Sequence, residues 1–135
     1  MDPDFSQGYV TVARLMVASG RQQPARERLE ALLVRNPKDV AALMLLAMLH
    51  EQAGSHAMAG EIYDRLLKVN LRFAPALNNA AYLFAVRLGQ VQKGLDLARR
   101  GREVSPFDPF TADTLGWILF QRGATFLSSH PLRRE

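Results

Sequence analysis

Residues 40–63 read VAALMLLAMLHEQAGSHAMAGEIY, and this stretch decides the fold. Its first half is apolar at three- and four-residue steps, which predicts a helix with one buried stripe. Gly54 follows that stripe and suits a helix end, because the chain turns back there through a left-handed conformation that costs other residues energy. A second helical pattern follows the glycine, so the stretch predicts a helix–turn–helix unit. The stripe consists of Leu43, Leu46, Ala47 and His50.

This unit recurs along the chain with a period near 34 residues. Small residues mark the first helix of each unit, at steps of 34, 34 and 35 residues: Ala13, Ala47, Ala81 and Gly116. Turn glycines follow them at Gly20, Gly54, Gly89 and Gly123. Three of these glycines follow their small residue by seven positions, whereas Gly89 follows Ala81 by eight. We therefore predict one inserted residue between Phe84 and Gly89.

The unit carries a bulky residue, followed by a leucine and then by a glycine or alanine. A turn glycine, a small residue and a terminal proline come next. In this order the unit resembles the tetratricopeptide repeat family. The resemblance covers residues 6 to about 124, and the strings at 77–82 and 113–119 are similar to those of bacterial arrays of this repeat. It implies an all-α fold, an α–α superhelix (solenoid) of three helix-turn-helix units plus an unpaired fourth first helix. The implied units are about 6–39, 40–73, 74–108 and 109–124, in a single domain over residues 1–124.

In this family the first helix of each unit lines a concave wall that receives a partner's peptide or helix. The resemblance therefore implies a non-catalytic protein–protein interaction scaffold, although it does not identify the protein or peptide partner. The wall residues are expected three positions before and one after each small residue, with Asn79 as an additional amide. They are Val10, Arg14, Met44, Met48, Asn78, Asn79, Tyr82, Asp113 and Trp117. Packing between neighbouring units is the alternative role for Met44, Met48 and Tyr82.

The fourth unit departs from the family pattern after Gly123. Residues 125–135 contain a proline and lack a periodic apolar face, so they predict an irregular tail in place of a second helix. The last first helix would then expose Leu115, Ile118 and Leu119. Two interpretations stay open: the chain is an excerpt of a longer array, or it self-associates as a homodimer through these residues.

The charge pattern gives a further hypothesis. The chain has 17 Lys and Arg against 13 Asp and Glu, a net charge of +4, and basic residues cluster between Lys93 and Arg102. Such a cluster can bind RNA or another polyanion. More often it forms a solvated outer face whose apolar stems cover the core, so nucleic acid is the less favoured partner.

The sequence shows no catalytic or cofactor site. Cysteine is absent, which excludes thiolate metal sites and thiol nucleophiles. His50, His56 and His130 lack metal-ligand spacing, and there is no glycine-rich phosphate loop or nucleophile elbow. We therefore expect neither enzymatic activity nor a bound cofactor or metal. His50 lies on the apolar stripe and is expected to be buried.

The compartment stays open. The longest apolar run, residues 40–49, is half the length that a bilayer span requires, so no membrane span is predicted. The first residues lack the basic flank and apolar core of a signal peptide. As written, the chain would be cytoplasmic, and it would be periplasmic if it belonged to a longer exported protein.

Overall fold

The computed structural model describes residues 3–129 and the side chains of residues 6–124. Seven α-helices make up this part of the chain, and a five-residue π-helix continues the fifth. They are α1 (Pro3–Ala18), α2 (Gln22–Arg35), α3 (Val40–Gln52), α4 (His56–Val69), α5 (Ala74–Tyr82), the π-helix (Leu83–Arg87), α6 (Val91–Val104) and α7 (Pro109–Ser129). Within residues 3–129 there is no strand, and no helix is both long and apolar enough to cross a membrane. The predicted all-α class, an α-solenoid of helix–turn–helix units, is confirmed.

The contacts divide the chain into two compact units, Met1–Leu71 and Arg72–Glu135. The repeat pattern, by contrast, predicts one domain. In the first unit α1 packs on α2, α2 on α3, and α3 on α4. In the second unit α5 and the π-helix pack on α6, and α7 packs on both α5 and α6.

Small residues hold the helices of the first unit together. Ala13, Ala25, Ala47 and Ala59 have no exposed surface, which lets neighbouring backbones approach closely. Larger side chains fill the space beside these alanines, and the apolar stripe predicted on α3 is buried among them. These include Leu29, Leu32, Leu43, Leu46, Tyr63 and Leu66.

The turns of the first two repeats are closed by glycine in the left-handed region, as predicted. Gly20 has a φ of 82° and Gly54 a φ of 81°. At the first turn the Arg21 amide donates to the Met16 carbonyl oxygen at 2.7 Å, a bond that spans five residues. This six-to-one hydrogen bond is characteristic of a Schellman motif, which satisfies the last carbonyl groups of a helix.

The third turn contains the predicted inserted residue, and the π-helix accommodates it. The Leu88 amide donates to the Leu83 carbonyl oxygen at 3.0 Å, a five-residue step that widens the last turn of the helix. The Gln90 amide then donates to Phe84 at 2.7 Å across six residues, one more than in the other turns. Gly89 still reaches a φ of 69°. The extra residue therefore enlarges the closing turn and leaves the following helix in register.

In the second unit α6 crosses the end of α5 and the π-helix at Gly94. A Cβ atom added at Gly94 would lie 2.5 Å from the Cβ of Ala85 and 2.7 Å from the Ala81 carbonyl oxygen. Carbon atoms in contact are normally about 3.5–4.0 Å apart, so no side chain fits at this crossing. Glycine at position 94 thus permits a close approach of α6 to α5 and the π-helix.

Two predictions about the last repeat are wrong. Gly123 does not end the helix: α7 runs through it to Ser129, so residues 125–129 are helical rather than irregular. Glycine permits a left-handed turn but does not impose one. Residues 130–135 of the predicted tail lie outside the described part of the chain.

Candidate functional site

The first unit has a groove between α1 and the start of α3, with a volume of about 520 Å³. Two predicted wall residues lie there: the buried Val10 side chain forms part of its floor, and the exposed Arg14 side chain stands at its edge. The rest of the lining is mostly polar and consists of Ser6, Gln7, Thr11, Asn36, Asp39, Val40 and Ala41. We call this the α1–α3 groove. Its mixture of apolar floor and polar edges suits a polypeptide segment.

The predicted methionines lie farther along α3 in the same unit. Met44 is half-buried and Met48 is 37% exposed. Because methionine is flexible and polarizable, an exposed thioether adapts to apolar partners of different shape.

In the second unit, the prediction that Asn78 lines the wall is wrong. Asn78 is only 3% exposed, and its side-chain amide donates to the Thr111 hydroxyl oxygen at 3.0 Å. Its Oδ1 atom would lie 3.6 Å from a Cβ added at Gly101, so it faces α6 and not the solvent. Asn78 therefore joins α5 to α7 inside the unit through its amide nitrogen, whereas its buried Oδ1 atom has no hydrogen-bond partner among the described residues. Asn79 and Tyr82, its predicted neighbours, are half-buried.

The most exposed candidate surface lies on α7. A shallow groove of about 450 Å³ runs along this helix, lined by Ala112, Asp113, Gly116, Trp117 and Phe120, and we call it the α7 aromatic groove. Asp113 and Trp117 are predicted wall residues, and both are exposed. The Trp117 and Phe120 rings stack with their centroids 5.9 Å apart and an interplanar angle of 26°. Their exposed fractions, 44% and 65%, are high for large aromatic side chains.

Two residues of this face are missing from the sequence prediction: Phe120, and Phe110, which is 58% exposed one turn before Asp113. The helical spacing could have found them, because Phe110, Asp113, Trp117 and Phe120 follow steps of three and four along one face.

The predicted self-association residues are only partly available. Leu115 and Ile118 are buried within the second unit, Ile118 completely, because they face the helices that α7 packs on. The prediction that α7 would expose them is therefore wrong. Leu119 is exposed, and it alone of the three remains for such a contact.

Lys93, the first residue of the basic cluster on α6, has a structural role. The Lys93 ammonium lies 3.9 Å from the centre of the Phe84 ring, which its aliphatic stem helps to cover. Arg99 lies 4.0 Å from Asp96 in an exposed pair one turn apart, and Arg102 is exposed. Exposed pairs of this kind contribute little energy.

Among the described side chains, residues 6–124, the titratable groups form no cluster of three or more that could hold a metal ion. His50 is buried on α3, as predicted, and burial lowers its pKa below 6.5, with a further lowering by Arg26 and an opposing contribution from Glu30. A buried neutral imidazole of this kind is typical of a core position.

Comparisons with known proteins agree with this architecture. No family model matches the chain. A TPR repeat-containing protein of Pseudomonas aeruginosa is 25% identical over 122 residues, which cover 90% of this chain. The chain spans 21% of the length of that relative.

Several solved structures share the fold. A tetratricopeptide repeat protein from Parabacteroides merdae superimposes with a TM-score of 0.82 at 19% identity, over 91% of this chain and 48% of that one. The translocator chaperone SycD of Yersinia enterocolitica, in complex with a peptide of YopD, gives 0.78 at 16% identity, over 90% and 97% of the two chains. The first TPR of Spaghetti (RPAP3), bound to an HSP90 peptide, gives 0.83 at 12% identity, over 91% and 97%. The chain thus has the tetratricopeptide-repeat fold that the 34-residue period of its sequence indicates.

Proposed function

We propose that the chain is a non-catalytic interaction scaffold that binds a partner peptide or amphipathic helix on the exposed faces of its first helices. The α7 aromatic groove carries this proposal. Stacked, solvent-exposed Trp and Phe rings beside a groove offer a large contact area at a low cost in side-chain entropy, which is typical of binding hot spots. The two rings lie side by side and form a contiguous exposed apolar patch, a feature that marks interaction sites.

The first unit supplies a second surface of the same kind. The α1–α3 groove combines an apolar floor with the charged Arg14 side chain, and Met48 is exposed farther along α3. The structural neighbours support the proposal, because SycD and the TPR of Spaghetti were each solved with a bound peptide.

A peptide selection tests the proposal directly. Peptides are selected from a random display library against the wild-type chain, and their affinities are then measured for wild type and for Trp117→Ala/Phe120→Ala. Loss of two aromatic hot spots is expected to weaken binding by about 2 kcal/mol or more, roughly 30-fold. Val34→Ala is the matched control, because Val34 is an exposed apolar residue on α2, outside both grooves.

The proposal fails if the double variant keeps its helix content and melting temperature and still binds every selected peptide with wild-type affinity, and if Arg14→Ala and Met48→Glu variants do so as well. Binding that is lost equally in Val34→Ala would also contradict it, because that result indicates non-specific adhesion to apolar surface.

Self-association through α7 is the second candidate, favoured by the exposed Leu119 side chain. Its signature is a molar mass that rises with concentration in light scattering and returns to 15.1 kDa, the monomer mass, in Leu119→Glu. A concentration-independent monomer mass for the wild type would exclude this candidate.

A further inference from the structure

The α7 aromatic groove combines a carboxylate with an aromatic face. Asp113 and Trp117 are four residues apart on α7, so their side chains are neighbours on one helix face. Phe120 extends this face by three residues and stacks on Trp117. Gly116 lies between them, and a Cβ added there would meet nothing within 4 Å, so the floor of the groove is open to a ligand.

The carboxylate in this groove is unused by the fold. Asp113 is exposed, and it has no hydrogen-bond or ion-pair partner among the residues that the structure describes. The two other aspartates of the second unit are engaged: Asp108 accepts a hydrogen bond from the Phe110 amide at 2.9 Å, and Asp96 lies 4.0 Å from Arg99. Asp113 is therefore available to a charged group from outside.

The chemistry of this pair selects a cation. The face of an indole ring carries a negative quadrupole that attracts cations, more strongly than the ring of Tyr or Phe. A carboxylate one turn away adds a formal negative charge on the same side of the helix. Asp113 is the one acidic residue in the α7 sequence, and the chain as a whole has a net charge of +4, so this negative charge is a local feature.

We propose that the α7 aromatic groove binds an arginine side chain of the partner polypeptide, with the guanidinium stacked on Trp117 and paired with Asp113. Arginine fits better than lysine, because its guanidinium is planar, weakly hydrated and able to stack on a ring while it donates to a carboxylate. The inference rests on the proposed function and adds the chemistry of the partner at this subsite.

The fluorescence of Trp117 can be assigned to this site, because Trp117 is the only tryptophan in the chain. The probes are N-acetyl-arginine amide, N-acetyl-lysine amide and N-acetyl-citrulline amide, the last of which keeps the shape of arginine but carries no charge. Each is titrated into the full chain while Trp117 fluorescence and the NMR shift of its indole N–H are followed. We expect a saturable response to the arginine probe, a weaker one to lysine and the weakest to citrulline.

Asp113→Asn is expected to lower the affinity for the arginine probe by about 2–5-fold, the range of an exposed ion pair. Asp96→Asn is the matched control, with the same charge change on α6, and it should leave the affinity unchanged. The assignment is overturned if arginine and citrulline bind equally, if lysine binds as tightly as arginine, if Asp113→Asn has no effect, or if Trp117 shows no saturable response.

These results separate the inference from the proposed function. Library-selected peptides that bind through Trp117 and Phe120 but show no preference for arginine would remove the arginine assignment and leave the scaffold proposal intact. A chain that binds the arginine probe but no selected peptide would contradict the scaffold proposal itself.

Discussion

The helix crossing at Gly94 gives a sharp prediction about stability. In Gly94→Ala the new Cβ would lie 2.5 Å from the Ala85 Cβ and 2.7 Å from the Ala81 carbonyl oxygen. Neither atom can move alone, because one is a short side chain and the other is backbone. We expect α6 to move away from α5 and the π-helix by about 1 Å, which removes a quarter to a half of the dispersion energy of the atoms along the crossing.

The magnitude follows from two opposing effects. Overpacking of a core typically costs about 1–3 kcal/mol, and the upper part of that range applies because backbone is displaced. Replacement of Gly by Ala within a helix stabilises by about 1 kcal/mol. We therefore expect Gly94→Ala to lower the free energy of unfolding by about 1–2 kcal/mol, which is a fall in melting temperature of roughly 4–8 °C for a chain of this size.

Gly101→Ala is the matched control on the same helix. Its new Cβ would meet the Thr111 methyl at 3.5 Å and the Leu77 Cβ at 3.6 Å, which are ordinary contacts. The same chemical change should therefore stabilise the second unit by about 0.5–1 kcal/mol. The assay is urea unfolding followed by far-UV circular dichroism, with the slope of the transition compared between variants. A Gly94→Ala variant as stable as Gly101→Ala would refute the close crossing.

Three further predictions follow from other contacts. Thr111→Val should lower the free energy of unfolding by about 1–3 kcal/mol, because it leaves the buried Asn78 amide without its acceptor, whereas Thr111→Ser should retain most of the stability in the same urea assay. His50 has a lowered pKa in the folded state, so the unfolded chain binds its proton more readily, and the free energy of unfolding should fall as the pH drops from 6.5 through that lower pKa. His50→Gln should flatten this pH dependence in thermal melts, and an unchanged slope would contradict the assignment. Gly123→Ala should stabilise α7 by about 1 kcal/mol and so raise the helix content and the melting temperature, because the residue is helical and a Cβ added there meets nothing within 4 Å. A loss of stability would show that Gly123 forms a turn.

The sequence predicts the repeat architecture well because its signals are local. Gly20, Gly54 and Gly89 adopt positive φ values, as the period requires, and the extra residue before Gly89 forms the π-helix. Small residues at fixed spacing mark the helix crossings because only they let two backbones meet. Gly123 resembles these glycines in sequence but lies within α7, because glycine permits a left-handed turn without imposing one.

The candidate site is less predictable, because exposure depends on what neighbouring helices supply. Asn78 stands at a position that faces the concave wall in the family pattern, but Thr111 lies opposite it here and draws the amide into the core. Ile118 is completely buried for the same kind of reason, since α7 packs on α5 and α6. Phe120, by contrast, is exposed on a face whose spacing was already visible in the sequence.

The measurement that tests the central claim most directly is a chemical-shift map of the ¹⁵N-labelled chain with a library-selected peptide. The account predicts that the largest shifts fall on α7 between Asp113 and Phe120, with the Trp117 indole N–H among them, and on the α1–α3 groove if the peptide reaches the first unit. Shifts confined to the basic face of α6 at Arg99 and Arg102, with the Trp117 signal unmoved, would contradict binding on the first helices.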